Sequence, residues 1–155
     1  MALITDPFHA GIVVADIEEA MAETSAATGV TWHSLQSLDL DLLVDGEVVS
    51  TSVRFSYTVE GPVQLELAEG PKGSFWDADL YEGLNHLGYW TDDLHADIET
   101  LMAGGCELAY GGASADGGIE GFAFLVPPST GQRIELIDVA MRPAFDRWFA
   151  GGEFG

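Results

Sequence analysis

Two histidines and two glutamates recur at matched places in this chain, and their types suit one chemistry, metal binding. Residues 8–17 read Phe-His-Ala-Gly-Ile-Val-Val-Ala-Asp-Ile, and residues 85–94 read Asn-His-Leu-Gly-Tyr-Trp-Thr-Asp-Asp-Leu. His9 falls on His86, Gly11 on Gly88 and Asp16 on Asp93 at a single offset (86 − 9 = 77). Gln64-Leu65-Glu66-Leu67 is echoed by Arg133-Ile134-Glu135-Leu136 (135 − 66 = 69). If the two halves pack about a pseudo-twofold axis, His9, Glu66, His86 and Glu135 could converge on one ion. Imidazole and carboxylate together make a site of borderline hardness, which suits Zn, Ni, Co, Mn or Fe(II) without selecting among them. Four protein ligands on a six-coordinate ion leave two positions free. A substrate with adjacent oxygens could take both, and the ion would stabilise a developing enediolate. The competing reading is a pair of polar strands in a wet cleft with no metal.

The elements that must position these groups can be read from patterning. Phe8 to Val14 is a β-rich run. Asp16, with Glu19 three residues on, is a helix-start signal, and Ile17, Ala20, Met21, Thr24 and Ala27 give an amphipathic helix over 17–28, closed by Gly29. Residues 31–44 and 47–59 read as strands around the turn dipeptide Asp45-Gly46. Residues 63–68 form a fourth strand, with Gln64 and Glu66 on one face. The order then repeats. A strand over 85–91 precedes an Asp93-capped helix carrying Leu94, Ile98, Leu101 and Met102. Strands follow over 107–110, 119–126 and 132–139, joined by the glycine-rich stretch 111–118 and the turn 127–131. The fold class is therefore α+β, with two βαβββ modules at about 7–69 and 84–140. A linker spans 70–83, and a terminal helix over 143–152 docks Phe145, Trp148 and Phe149. All 155 residues are read as a single domain.

Bulk composition excludes several functions. With 47% hydrophobic and 10% aromatic residues the chain can build a core. Its 26 acidic against 5 basic residues give a net charge of −21. That charge repels nucleic acids and anionic membranes, whose binding rests on Lys and Arg. No apolar run reaches the roughly 20 residues of a membrane span, and the N-terminus lacks a signal-peptide pattern. Cys106 is the lone cysteine, so no intrachain disulfide can form. A cytoplasmic protein with a small-molecule ligand is expected, and a homodimer is anticipated.

The paired His-x-Gly strands, the Asp-capped helices, the two x-Glu-Leu strands and the Pro-x-Ser-Thr-Gly turn before the last strand are similar to those of the glyoxalase/bleomycin-resistance/dioxygenase group, the vicinal oxygen chelate superfamily. The resemblance covers about residues 7–140. It implies a cupped, half-open eight-stranded barrel with His9, Glu66, His86 and Glu135 as ligands of a divalent metal. It further implies a metal-dependent glyoxalase-like lyase or isomerase, with Glu135 as the first candidate proton-transfer base and Glu66 the second. A dioxygenase using Fe(II) would use His9, His86 and Glu135. A bleomycin-resistance-type protein would sequester a drug or antibiotic and catalyse nothing. Epimerase relatives carry a further acid on the third strand, and here residues 48–57 hold none.

Other residues could shape the ligand. Arg54, on a strand with Ser52 and Ser56, could clamp a substrate carboxylate bidentately; a surface Arg paired with acids is the plainer reading. His33 could act in a pocket or be an ordinary strand histidine. Tyr57, Phe122, Phe124 and Trp76 could line an apolar pocket or be core.

Overall fold

The computed structural model describes residues 6–81 and 83–155. The first half contains β1 (His9–Val13), α1 (Ile17–Thr28), β2 (Gln36–Val44), β3 (Glu47–Tyr57) and β4 (Gln64–Glu69). The second contains β5 (Gly83–Thr91), α2 (Leu94–Ala103), β6 (Glu107–Ala113), β7 (Ile119–Val126) and β8 (Arg133–Asp138), followed by a 3-10 turn (Val139–Met141) and α3 (Arg142–Phe149). Two βαβββ modules are thus present, as the repeat required.

The helices begin where the sequence placed their caps. Asp16 accepts a hydrogen bond from the Glu19 N–H at 2.9 Å, and Asp93 accepts one from the Ala96 N–H at 3.1 Å. Each cap satisfies a backbone donor that the first helical turn leaves free, an effect of about 1 kcal/mol. Gly29 ends α1 at φ 80°, a left-handed conformation that favours glycine. Asp45 and Gly46, both at positive φ, close the β2–β3 hairpin.

The strands run round a ring in the order β1-β4-β3-β2-β6-β7-β8-β5. Each half contributes a four-stranded sheet, and the halves meet where β1 pairs antiparallel with β5 and β2 with β6. The β2–β6 seam is the thinner, held by Leu42 against Gly112 and Leu43 against Gly111. The eight strands form a closed barrel whose β2–β6 seam is the weaker of the two. One apolar cluster fills its interior, with Leu42, Val53, Phe55, Tyr110 and Phe124 among its members, and Phe145 and Trp148 of α3 join it from one end. A second cluster lies between α2 and the outer face of β7 and β8, joining Leu94 and Ile98 to Ala123, Leu125 and Leu136.

Most boundaries shift by one or two residues from the sequence reading, and three shift further. Residues 31–35 do not extend β2; Trp32 makes only an isolated bridge to Thr58. Their backbone-to-backbone bonds run to Tyr57 and Val59, the His33 N–H donating to the Tyr57 carbonyl and the Val59 N–H to the Thr31 carbonyl, and other polar groups go elsewhere. The Trp32 indole N–H reaches the Met21 carbonyl at 3.1 Å, and the Ser34 carbonyl accepts from the Trp148 indole at 2.8 Å. The glycine-rich stretch, expected to be a turn from 111, continues as strand to Ala113. Glycine is required there because a Cβ on Gly112 would lie 2.4 Å from the Glu120 carbonyl oxygen. The terminal helix ends at Phe149, with Phe145 and Trp148 buried.

Candidate metal centre

His9, Glu66, His86 and Glu135 lie on four strands, and register alone explains why they meet. In β1 and β5 each histidine shares a strand face with the glycine two residues later. The antiparallel pairing sets His9 opposite Gly88 and Gly11 opposite His86. Each imidazole therefore lies over the other half's glycine. A Cβ at Gly11 would come within 2.0 Å of His86 Cε1, and one at Gly88 within 1.9 Å of His9 Cε1. The parallel partners complete the symmetry, since β4 sets Glu66 beside Gly11 and β8 sets Glu135 beside Gly88.

The four side chains are buried, with residue exposures of 0% for His9, 1% for His86 and 8% for each glutamate. One ligand atom from each lies within 4.8 Å of all the others. The two Nε2 atoms are 3.0 Å apart. Glu66 Oε2 is 3.1 Å from His9 Nε2 and 3.0 Å from His86 Nε2; Glu135 Oε2 is 2.9 and 3.1 Å from the same nitrogens. Adjacent ligands on an octahedral ion with bonds of about 2.1 Å are separated by about 3.0 Å. Glu135 Oε2 is buried and, despite those short distances, makes no well-aligned hydrogen bond. Converging donors at this spacing, one carboxylate oxygen lacking a proton aimed at it, fit a shared divalent cation.

Electrostatics agree with a site built for charge. Burial alone would push both imidazoles towards the neutral form, but the two carboxylates outweigh it. His9 titrates above its usual value and His86 at about 10. Burial would likewise raise the carboxyls, yet the histidines hold Glu66 down at about 2, and Glu135 is lowered chiefly by the charge of His86.

Around these four the halves differ. His86 Nδ1 donates to Asn85 Oδ1 at 2.9 Å, which leaves Nε2 as the nitrogen that faces the other three candidate ligands. Asn85 occupies a bulge in β5, where Gly11 faces His86 and Ile12 faces Leu84. The sequence reading missed Asn85; its signal was a polar residue flanking a candidate ligand where the first half has Phe8. His9 Nδ1 has no partner among the described residues, and the His9 ring instead packs edge-on to Phe8 at 4.4 Å.

The cluster opens into a cavity of about 90 Å³ bordered by Glu66, His86 and Glu135. Tyr57, Trp76, Phe122 and Phe124 line it, and the Tyr57 hydroxyl lies 3.4 Å from His9 Nε2. Phe145 and Phe154, which sequence reading did not place there, supply part of the wall. Arg54 and His33 are not among the lining residues. Arg54 pairs with Glu18 at 2.9 Å and Glu69 at 3.2 Å near α1. His33 stacks on Phe149 at 4.2 Å, and burial lowers its pKa.

A sequence profile of the glyoxalase/bleomycin resistance protein/dioxygenase superfamily matches residues 8–124. The chain belongs to that superfamily. No curated protein sequence matches it. Among solved structures it resembles methylmalonyl-CoA epimerase from Mycobacterium tuberculosis, at 22% identity and TM-score 0.64 over 93% of this chain and 94% of that one. A methylmalonyl-CoA epimerase in complex with methylmalonyl-CoA and NH4+ is similar at 22% identity and TM-score 0.62, over 88% and 96%. A mutant 4-hydroxymandelate synthase from Streptomyces coelicolor matches at 16% and 0.55, over 87% of this chain and 38% of that one. Likeness at these identities shows the superfamily fold, which hosts more than one activity. Among the described residues no helix is long and apolar enough to cross a membrane.

Proposed function

We propose that the protein is a metal-dependent, glyoxalase-like lyase or isomerase acting on a small molecule with adjacent oxygens. The observation that carries this reading is the convergence of His9, Glu66, His86 and Glu135 on one point at the edge of a cavity. The four would hold a divalent cation, and the bound ion would supply the charge that stabilises a developing enediolate. The chain's own residues do the rest. Asn85 orients His86. The apolar wall excludes water, which strengthens every interaction inside it. Glu135 is the first candidate to carry a proton between adjacent carbons and Glu66 the second, because both carboxylates border the cavity.

An epimerase reading is less favoured, since the stretch of β3 facing the cavity offers Val53, Phe55 and Tyr57 and no acid. A metal-free sequestering protein draws some support from the aromatic lining. Dioxygenase chemistry on Fe(II) is the remaining alternative, and O₂ uptake with catechols separates it. Elemental analysis of protein purified without chelator, beside His86→Ala and Glu135→Ala, tests the proposal. Near one equivalent of a transition metal, lost in both variants, is the expected result. No metal retained, and none taken up from added Zn, Ni, Co or Fe(II), would leave the sequestering reading.

A further inference from the structure

Resting on the metal-site reading above, we infer that the site takes a small molecule whose two adjacent oxygens are carried on an apolar body without negative charge, and that Phe154 sets the size of that body.

The cavity wall carries the first part. Apart from Tyr57 and the three candidate ligands that border it, every lining residue is aliphatic, aromatic or a thioether. No Lys or Arg is among them. The chain has only five such residues, and each is engaged elsewhere. Arg54 holds Glu18 and Glu69, Lys72 lies 3.8 Å from Asp79, Arg133 and Arg142 lie over the rings of Tyr81 and Trp90, and Arg147 donates to the Gly155 carbonyl. A ligand carboxylate or phosphate within this wall would lose its water and gain no partner.

The surroundings reinforce the exclusion of anions. Two larger clefts beside the cavity, about 730 and 640 Å³, both include Asp39, Leu40 and Asp41. The second adds Glu120 and Asp138, and Lys72 is the one cation in either. Leu40 also lines the inner cavity, so these clefts adjoin it. A nucleotide-bearing thioester would have to lay its phosphates along acidic ground on a protein of net charge −21. The fold neighbour that holds methylmalonyl-CoA therefore does not describe the ligand of this chain.

Size comes from the segment after α3. That segment returns to the barrel, where the Phe154 N–H donates to the Gln36 side chain at 3.0 Å. The Phe154 ring stands edge-on to Phe145 at 4.9 Å and to Phe55 at 5.6 Å, both of which also line the cavity. With it in place the cavity is about 90 Å³. That is smaller than the roughly 150 Å³ that accepts benzene, so a single small ring is held here only in part, with its two oxygens reaching into the ligand cluster. Phe154 is only partly buried, and shortening it opens the wall outward.

The test titrates Co(II)-loaded protein anaerobically with three catechols and follows the cobalt visible spectrum. Catechol is the neutral probe, protocatechuate adds a carboxylate and 4-tert-butylcatechol a bulky apolar group. Catechol should bind, with protocatechuate weaker by about tenfold or more. Phe154→Ala should raise the affinity for 4-tert-butylcatechol relative to catechol by on the order of tenfold. Phe154→Leu should give a smaller rise in the same ratio. Co(II) uptake with no catechol response overturns the inference alone, as does protocatechuate binding as tightly as catechol, or a ratio unmoved in both Phe154 variants. Failure to take up Co(II) instead removes the metal-site reading and this inference with it.

Discussion

The two halves of the barrel are alike where they supply ligands and different where they hold them. His9 and His86, Glu66 and Glu135, and Gly11 and Gly88 occupy equivalent places about the pseudo-twofold axis. The residue before each histidine differs. Phe8 packs against its neighbour's ring, whereas Asn85 accepts a hydrogen bond from its own. Opposite each glutamate on the adjacent strand stands an aromatic residue, Tyr57 against Glu66 and Phe124 against Glu135. One half therefore brings a hydroxyl towards the cluster and the other only a ring. Symmetry builds the cluster, and the departures from it assign different tasks to the halves. The second half fixes its histidine by a hydrogen bond. The first gives Nδ1 of its histidine no partner among the described residues and lets apolar packing and a nearby phenol define the position.

The strongest way to break the comparison is to fill either glycine. Gly11→Ala and Gly88→Ala each drive a methyl into the opposite imidazole, so both should abolish metal binding and destabilise the fold by about 3 kcal/mol. Denaturant midpoints should fall equally for the two; a tolerated alanine at either position would contradict the crossed register. Next comes the hydrogen bond that distinguishes the halves. Asn85→Ala should weaken metal binding by about 10- to 100-fold, measured by competition with a chelator. Phe8→Leu should change it less than Asn85→Ala; equal losses would mean that both histidines are held by packing alone.

Acidity addresses both histidines together. Without metal both titrate above the ordinary value, His86 at about 10, so at neutral pH His86 carries a proton that a cation must displace. Affinity should therefore rise with pH up to that value, by about tenfold per unit for each proton released, and isothermal titration in buffers of different ionisation enthalpy should count the protons. Uptake without proton release between pH 6 and 8 would contradict the charge state of the cluster. The smallest effect belongs to Tyr57→Phe, which makes the first half resemble the second. Loss of a buried hydroxyl should cost about 1 kcal/mol in thermal or chemical unfolding, with metal stoichiometry unchanged. A stoichiometric loss of metal would make Tyr57 a ligand and the site less symmetric than its strands.

Much of this arrangement was legible in the sequence because it is written twice. The repeated His-x-Gly and x-Glu-Leu strings name the four donors, and Asp16 and Asp93 place both helices. What the glycines are for was not legible. Each makes room for a histidine far away in the chain, Gly11 for His86 (86 − 11 = 75) and Gly88 for His9 (88 − 9 = 79), and only the antiparallel pairing of β1 with β5 reveals it. The same limit applies to residues 31–35. Their β-rich look is local, while the partners that draw them out of the ladder, the Met21 carbonyl and the Trp148 indole, come from elements whose packing no pattern of strand residues encodes. Arg54 was open to two readings because alternation alone does not say which face is inside; in the barrel Val53 and Phe55 line the cavity and Arg54 pairs with Glu18 and Glu69. Phe154 carried no periodic signal, since it acts through tertiary return of the chain.

The central claim is that one ion joins the two halves. An anomalous-difference map from a crystal of metal-loaded protein, recorded on either side of the absorption edge of the metal that co-purifies, tests it most directly. The account predicts a single strong peak within about 2.3 Å of His9 Nε2, His86 Nε2 and one carboxylate oxygen each of Glu66 and Glu135. A peak elsewhere, or one that touches the ligands of only one half, would contradict it.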